Sequence, residues 1–365
     1  MNTDISKLKD SVARLTERTQ ARINRNKKHL TNLFAGPFPG HAFHFVHEPV
    51  NSPGHGDFTL VNERPVSDWL SYVIADYESQ LRLLSELDHD GVPYVNLLTN
   101  TGVFAAGFGC KMHLFEGSNA AAGPCVETVA DAAKLKTPRV EDVPTLMRVI
   151  ELARLVRDTL GPDVHVTGCD IQSPFDIAAL IWRKQDLFVA MIEEPNAVKD
   201  LIAKTHELLM NFLVIYTREF PNFNPIHCPW GWVPTELGIG LSEDEAGSLN
   251  TEMFEEFSLP SLVEISNLCG GMFLHCCAAA DHQYASFQKI PNLRGLNRVY
   301  QYPPGPKPAI ERFSGKTVFM VAWTDIEEQL AMARPDTRFL MNIDHMPLDD
   351  ARRKLDEYRA RFPRL

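Results

Sequence analysis

Short apolar runs alternate with helix-length segments along most of this chain, and this alternation constrains the fold more than any other feature. Strand-helix units of about 25 to 40 residues predict parallel strands joined by right-handed crossovers. The runs that we predict as strands are GHAFHFVHEP (40–49), VHVTGC (164–169), FNPIHCP (223–229), MFLH (272–275), RGLNRV (294–299), TVFMVA (317–322) and TRFLMN (337–342). The segments 143–160, 196–220 and 252–268 have helical periodicity or helix-capping signals.

For a chain of 365 residues with this alternation, an α/β closed barrel of the (β/α)₈ TIM type is favoured over an open doubly wound sheet. No GxGxxG motif follows a strand, so a dinucleotide-binding fold has no support. We predict a single barrel domain over residues 1–365, with extra N-terminal helices in an arm formed by residues 1–40. Apolar residues at three-to-four spacing predict a helix over residues 5–30 of that arm.

Composition excludes several classes of partner. The net charge of −11 gives no electrostatic support for binding nucleic acid or an anionic membrane. No apolar run reaches the ~20 residues that a membrane-spanning helix needs. The polar, acid-containing start predicts no secretory signal, and seven scattered cysteines argue for a reducing compartment. We therefore expect a cytoplasmic protein.

The sequence Leu274-His275-Cys276-Cys277 ends a predicted strand, and it is the sharpest chemical feature of the chain. The functional face of a (β/α)₈ barrel lies at the carboxyl ends of its strands. Alternate strand residues point the same way, so His275 and Cys277 can share one metal ion while Cys276 faces elsewhere. Imidazole and thiolate together suit zinc. The alternative is a purely structural pair, because buried Cys and His are common in protein cores.

The stretch from Glu236 to Asn297 resembles the uroporphyrinogen decarboxylase and cobalamin methyltransferase superfamily. It contains the family's acidic loop, a helix of the form xxFxEFxLPxL and a strand ending in HxC. GCDIQSPFDIAALIW (168–182) and AAGFGCKM (105–112) match as well, so the resemblance covers roughly residues 76–365. It implies a (β/α)₈ barrel, either decarboxylase or methyltransferase chemistry, and a homodimer.

Two departures from the family decide between its branches. The decarboxylase branch lines its cleft with arginines that bind substrate carboxylates, but no arginine lies between Arg25 and Arg64. The methyltransferase branch combines HxC with a distal cysteine in a zinc site, and no cysteine follows Cys277. Asp344 or His345, at the end of the last strand, could substitute for that cysteine as third ligand, and Glu236 and His227 from neighbouring strands are further candidates.

Further candidates are assigned by their position near strand ends or by resemblance. The alternatives are loop packing for His227 and its tryptophan neighbours, a solvated charge run for 243–245, and helix capping for Asn297 and Asp170. Asp170 could also orient a ligand imidazole. The candidate catalytic residues are His227, Glu236 and Asp244, and the candidate substrate-binding residues are Trp230, Trp232, Asn297 and Asp170.

The resemblance implies a zinc-dependent methyltransferase that moves a methyl group between a corrinoid-type carrier and a small acceptor. The chain has no DxHxxG cobalamin signature, so the corrinoid would be bound to a partner protein. The alternatives are a metal-free carboxy-lyase of the uroporphyrinogen decarboxylase type and a non-catalytic small-molecule-binding barrel.

Overall fold

The computed structural model describes residues 4–36, 39–50, 65–97, 101–113, 120–300, 304–322 and 324–364. Residues 1–3 and 37–38 of the predicted N-terminal arm therefore lie outside the described residues. Within the described ranges, no helix is both long and apolar enough to cross a membrane.

Ten strands and a larger number of helices form the described structure. The strands are β1 (Gly40–Phe45), β2 (Lys111–His113), β3 (Ala121–Gly123), β4 (Val166–Thr167), β5 (Phe223–Asn224), β6 (Ile239–Ser242), β7 (Met272–Cys276), β8 (Leu293–Arg298), β9 (Val318–Val321) and β10 (Arg338–Ile343). The α-helices are Ile5–Ala35, Ser67–Glu86, Val129–Lys134, Pro144–Leu160, Pro174–Ile181, Lys184–Glu193, Pro195–Glu219, Thr251–Met253, Leu259–Cys269, Tyr284–Phe287, Lys307–Phe313, Ile326–Met332 and Leu348–Arg361. A π-helical segment, Phe254–Ser258, joins two of them.

The central sheet is parallel and runs in the order β1-β10-β9-β8-β7-β6. Parallel bridges from Ser242 to Gln172 and from Val166 to Val95 continue it beyond β6. The ring closes where the N–H of Asp90 donates to the carbonyl group of Phe43 in β1. The predicted α/β barrel with parallel strands is therefore confirmed.

The helix predicted over residues 5–30 extends from Ile5 to Ala35, and it is the one α-helix that precedes β1 in the described residues. Several helices were expected there. Leu30, Leu33 and Phe34 are buried in the barrel core, so the end of this helix packs against the barrel. Apolar side chains on one face explain this packing, because their burial stabilises the folded state.

The register of three adjacent strands positions the candidate site. In β7, His275 pairs with Ser242 of β6 on one side and with Asn297 of β8 on the other. All three residues lie at or near the carboxyl ends of their strands, on the face where barrel enzymes carry their active sites. The helix that precedes β7 ends at Gly270, whose φ of 82° favours glycine.

Candidate metal site and adjoining cleft

Three potential metal ligands meet at the end of β7. One ligand atom from each of Asp244, His275 and Cys277 lies within 4.8 Å of the other two. Nε2 of His275 is 3.8 Å from a carboxylate oxygen of Asp244. As the strand alternation predicts, Cys276 faces away, and its buried thiol is 3.4 Å from Arg298.

Asn297 determines which ring nitrogen of His275 can bind a ligand. Its amide nitrogen donates to the carbonyl group of Met320 at 2.5 Å, so its oxygen faces Nδ1 of His275, also at 2.5 Å. A carbonyl oxygen only accepts, so Nδ1 carries the proton in this network. Nε2 then has the lone pair, and it is the nitrogen beside Asp244. A buried partner that orients a ligating histidine in this way is typical of metal sites.

The loop that carries Asp244 is held from behind by Asp176. The carboxylate of Asp176 accepts the N–H groups of Asp244 at 2.6 Å and Glu245 at 3.0 Å. Asp176 lies in the first turn of the helix Pro174–Ile181, which Ser173 caps. Asp244 in turn accepts the N–H of Cys277 at 2.7 Å. The loop after β6 and the end of β7 are therefore joined directly.

Glu243 is wholly buried, so the acidic run 243–245 is not the solvated surface that such runs usually form. Its carboxyl group accepts a hydrogen bond from Ser258. Burial raises the pKa of Glu243 to about 7. Burial, followed by the charge of Glu243, raises the pKa of Asp176 well above its usual range. Two carboxyl groups this close favour a protonated partner, and the retained proton allows the pair to stay buried beneath the site.

The donor set of this cluster fits zinc. A nitrogen, a sulfur and a carboxylate oxygen are the ligands that zinc prefers, and three protein ligands leave one position open, as in catalytic zinc sites. Burial, followed by the charge of Asp244, raises the pKa of Cys277 to about 12. A divalent cation between the two groups would reverse that effect and stabilise the thiolate.

A second feature adjoins the mouth of the barrel at the end of β1. A cavity of about 240 Å³ opens there, and His44, His47 and Trp230 are among the residues that line it. Nε2 of His47 is 2.7 Å from the carboxylate of Asp76, which lies on the helix Ser67–Glu86. This pair could not be predicted, because nothing in the local sequence shows that residues 29 positions apart meet.

Comparison with known proteins agrees with this architecture. Residues 77–219 match the family model for uroporphyrinogen decarboxylase (URO-D). A solved methyltransferase structure from Methanosarcina mazei superposes with a TM-score of 0.61 at 13% identity, covering 92% of this chain and 98% of the other. No curated protein matches significantly. The predicted resemblance to the uroporphyrinogen decarboxylase superfamily is confirmed.

The segment that matches the uroporphyrinogen decarboxylase model ends before the metal cluster begins. It stops at residue 219, whereas the cluster lies at 244–277. At 13% identity, the structural likeness shows the fold alone. Neither comparison therefore bears on the chemistry of these three residues.

Asp344 and His345 are not part of the cluster of potential ligands, where one of them was expected as third ligand. Both are exposed and follow β10. Two strands, β8 and β9, lie between β10 and β7 in the sheet, so these side chains are on another side of the barrel mouth. Asp244, predicted as a catalytic residue, is instead the third potential ligand beside His275 and Cys277.

Glu236 was predicted as catalytic, and its placement contradicts that role. It is exposed in the short helix Thr235–Leu237, immediately before β6, and its backbone lies beside Gly270, which precedes β7. This is the amino-terminal end of the strands, opposite to the metal cluster. His227 lies half-buried in the loop after β5.

The two tryptophans predicted to contact substrate have different positions. Trp230 is 42% exposed and lines the cavity beside β1. Trp232 is buried, and its indole N–H donates to His165 at 3.3 Å. His165 immediately precedes β4, so this contact lies at the amino-terminal end of the strands. Trp232 is therefore a packing residue.

Asn297 and Asp170 differ from their predicted roles as well. Asn297 orients His275 instead of binding a substrate, because both ends of its amide have protein partners. Asp170 accepts a hydrogen bond from Ser242 at 3.3 Å. The role of orienting an imidazole, expected of Asp170, is taken by Asn297.

Proposed function

We propose that this protein is a zinc-dependent methyltransferase that moves a methyl group between a corrinoid-type carrier and a small acceptor. The observation that carries the proposal is the cluster of Asp244, His275 and Cys277 at the carboxyl ends of the barrel strands. The fold agrees with it, since a methyltransferase shares the architecture. Zinc would lower the pKa of an acceptor such as a thiol and so supply a nucleophile at neutral pH.

The residues of the chain have separate tasks in this proposal. His275, Cys277 and Asp244 would hold the metal, and Asn297 orients the ring of His275 so that Nε2 is the nitrogen on the side of the metal position. Asp176 fixes the loop behind Asp244, so that its carboxylate needs little rearrangement to bind a cation. His227, in the loop after β5, is the remaining candidate for proton transfer.

The wider assignments are part of the same proposal. The corrinoid would be bound to a separate protein that docks at the open end of the barrel. We also propose that the protein acts as a cytoplasmic homodimer, with the whole chain as a single domain.

Metal content tests the proposal most directly. Elemental mass spectrometry of the purified, tag-free protein should find about one zinc per chain in the wild type and almost none in Cys277→Ser. Cys125→Ser is the matched control, because Cys125 is an exposed cysteine outside the cluster and should not affect zinc content. Absence of zinc from wild-type protein grown with zinc, or equal zinc in Cys277→Ser, would contradict the proposed site.

Catalysis requires a second measurement. Methylcobalamin and 2-mercaptoethanol serve as model methyl donor and acceptor, and transfer is followed by the absorbance change as the cobalt–methyl bond breaks. We expect turnover that a chelator abolishes and added zinc restores.

A metal-free carboxy-lyase and a non-catalytic binding protein remain the alternative functions. The cavity beside β1 favours them over a wholly structural role, because it offers a binding space outside the metal cluster. The decarboxylase alternative lacks the expected cationic lining, since no Arg or Lys is among the described residues that line this cavity. Turnover that a chelator does not affect would favour the lyase.

A further inference from the structure

The cavity at the end of β1 has the size and shape of a small-ligand site. Its volume of about 240 Å³ is below the range of roughly 300 to 1,000 Å³ that is usual for drug-sized ligands, so it suits a molecule of one or two rings. Its apolar walls include Val46, Pro49 and Val50, and its aromatic walls include Tyr72, Tyr94 and Trp230. Such walls favour a flat, apolar body.

The polar side of the cavity is centred on His47 and Asp76. The carboxylate of Asp76 accepts hydrogen bonds from Nε2 of His47 at 2.7 Å and from the amide of Gln80 at 3.0 Å. Gln80 is itself anchored, because its amide also donates to the carbonyl group of Tyr94 at 2.9 Å. Asp76 therefore orients the ring of His47 with Nε2 as the donor, and in the neutral ring the acceptor is then Nδ1.

The described residues that line the cavity favour an uncharged ligand over an ionised one. No Lys or Arg is among the described lining residues, so none of these residues offers a cation to pair with an anionic ligand. The negative charge of Asp76 is already bound by two donors. His44, in the wall beside His47, stays neutral at physiological pH because burial lowers its pKa to about 4. Burying an unpaired charge costs far more than burying a neutral ring.

We propose that this cleft binds a small, uncharged, ring-containing molecule whose hydroxyl group donates a hydrogen bond to Nδ1 of His47. The aromatic walls would hold the ring, and Asp76 would keep His47 in the accepting tautomer. The site shares no residue with the cluster of Asp244, His275 and Cys277, so the proposal stands without the metal.

Calorimetric titration of the full-length protein, treated with chelator, tests the proposal with three probes. Phenol should bind with a stoichiometry of one, and anisole, which lacks the hydroxyl proton, should bind at least about tenfold more weakly, because the loss of one hydrogen bond to a buried acceptor is of that order. Benzoate should not bind detectably. Equal binding of phenol and anisole, or no binding of phenol, would overturn the proposal without any variant.

His47→Phe then tests the residue itself. It keeps a ring of similar size but removes the acceptor, so phenol should bind only as weakly as anisole does. His113→Phe is the matched control, because His113 is an exposed histidine on β2 that does not line the cavity, and phenol affinity should be unchanged. Unchanged phenol affinity in His47→Phe would overturn the assignment.

Cys277→Ser separates this inference from the proposed function. Phenol should bind to this variant as it does to the wild type, whether or not the wild type contains zinc. A loss of phenol binding in Cys277→Ser would place the ligand on the metal cluster and overturn the separate site.

Discussion

Each side of the barrel mouth contains a histidine that is oriented by an asparagine, but the surroundings of the two histidines differ. On the side of the metal cluster, Nδ1 of His275 is 2.5 Å from the side-chain oxygen of Asn297. On the side of the cleft, Nδ1 of His44 is 2.8 Å from the side-chain oxygen of Asn342. In both pairs the amide nitrogen of the asparagine donates to a backbone carbonyl group, so both imidazole rings have a proton on Nδ1.

The difference lies at the other ring nitrogen. Both histidines are equally buried, with 8% exposure, but Nε2 of His275 is beside a carboxylate and near a thiol. His44 stacks on His89 with a ring-centroid distance of 5.6 Å, and burial lowers the pKa of both residues, to about 4 and about 3. An asparagine that orients a histidine therefore does not by itself indicate a metal site. The groups around the second nitrogen decide whether the pair can bind a ligand or only stabilise the fold.

The aspartates of the two sides differ in the same way. Beneath the cleft, Asp90 is wholly buried, pairs with Arg359 and Arg364, and accepts the N–H of Phe43 at 2.8 Å. The two arginines hold the pKa of Asp90 below its usual range despite its burial. The side chain of Asp244 is 30% exposed, and no Lys or Arg forms an ion pair with it among the described residues.

Exchanging each aspartate for alanine tests this difference. The change in the free energy of unfolding should be the largest effect among the variants. Asp90→Ala should lower the free energy of unfolding by about 3 kcal/mol, because it removes the buried carboxylate that pairs with Arg359 and leaves Arg364 with Asp88 alone. Asp244→Ala should cost only about 1 kcal/mol, since its main loss is one hydrogen bond to the N–H of Cys277. Urea denaturation of both variants, each without metal, measures the difference. Equal costs would mean that Asp244 is a structural residue.

Two of the three potential metal ligands could be predicted from strand alternation and barrel geometry. The spacing of His275 and Cys277 predicts that they share one face, and the structure brings both into the cluster. The third member could not be predicted, because its position depends on which strands are neighbours. The parallel pairing of β6 with β7 brings Asp244 to His275, whereas β10 lies beside β1 and β9. Asp344 and His345, which follow the last strand, therefore lie away from this cluster.

The contact between Asn297 and His275 predicts a smaller effect, which is a change in zinc affinity. Asn297→Leu should weaken zinc affinity by about 10- to 100-fold, since His275 loses the partner that holds its ring and tautomer. Asn342→Leu is the control, because it removes the same amide from His44 and should leave zinc affinity within about twofold. Both variants should lose similar stability, since each leaves a buried carbonyl group unpaired. Zinc affinity is measured by competition with a chromophoric chelator, and equal weakening in both variants would contradict the distinction between the two sides.

The features missed in the sequence share one physical cause. The pair of His47 and Asp76 and the buried pair of Asp176 and Glu243 each join residues from different strands and helices. Propensity and periodicity describe one element at a time, so they indicate where a side chain points but not which one it meets. The wrong assignment of Glu236 has the same origin, since it depended on which end of β6 the residue occupies.

The smallest effect is expected for Cys228, the cysteine that lies between the two sides. Its thiol is 4.0 Å from the side-chain oxygen of Asn297, but it is not part of the cluster with Asp244, His275 and Cys277. Burial raises the pKa of this thiol well above its usual range, as it also raises that of Cys277, so its position outside the cluster is what sets it apart as a neighbour of the site. Cys228→Ser replaces the thiol with a hydroxyl group, which is also a hydrogen-bond donor near Asn297. It should change zinc affinity by less than about threefold. The chelator competition used for the asparagine variants measures it. A loss comparable to that of Cys277→Ser would make Cys228 a second thiolate ligand, and would show that the metal side of the mouth extends to the loop after β5.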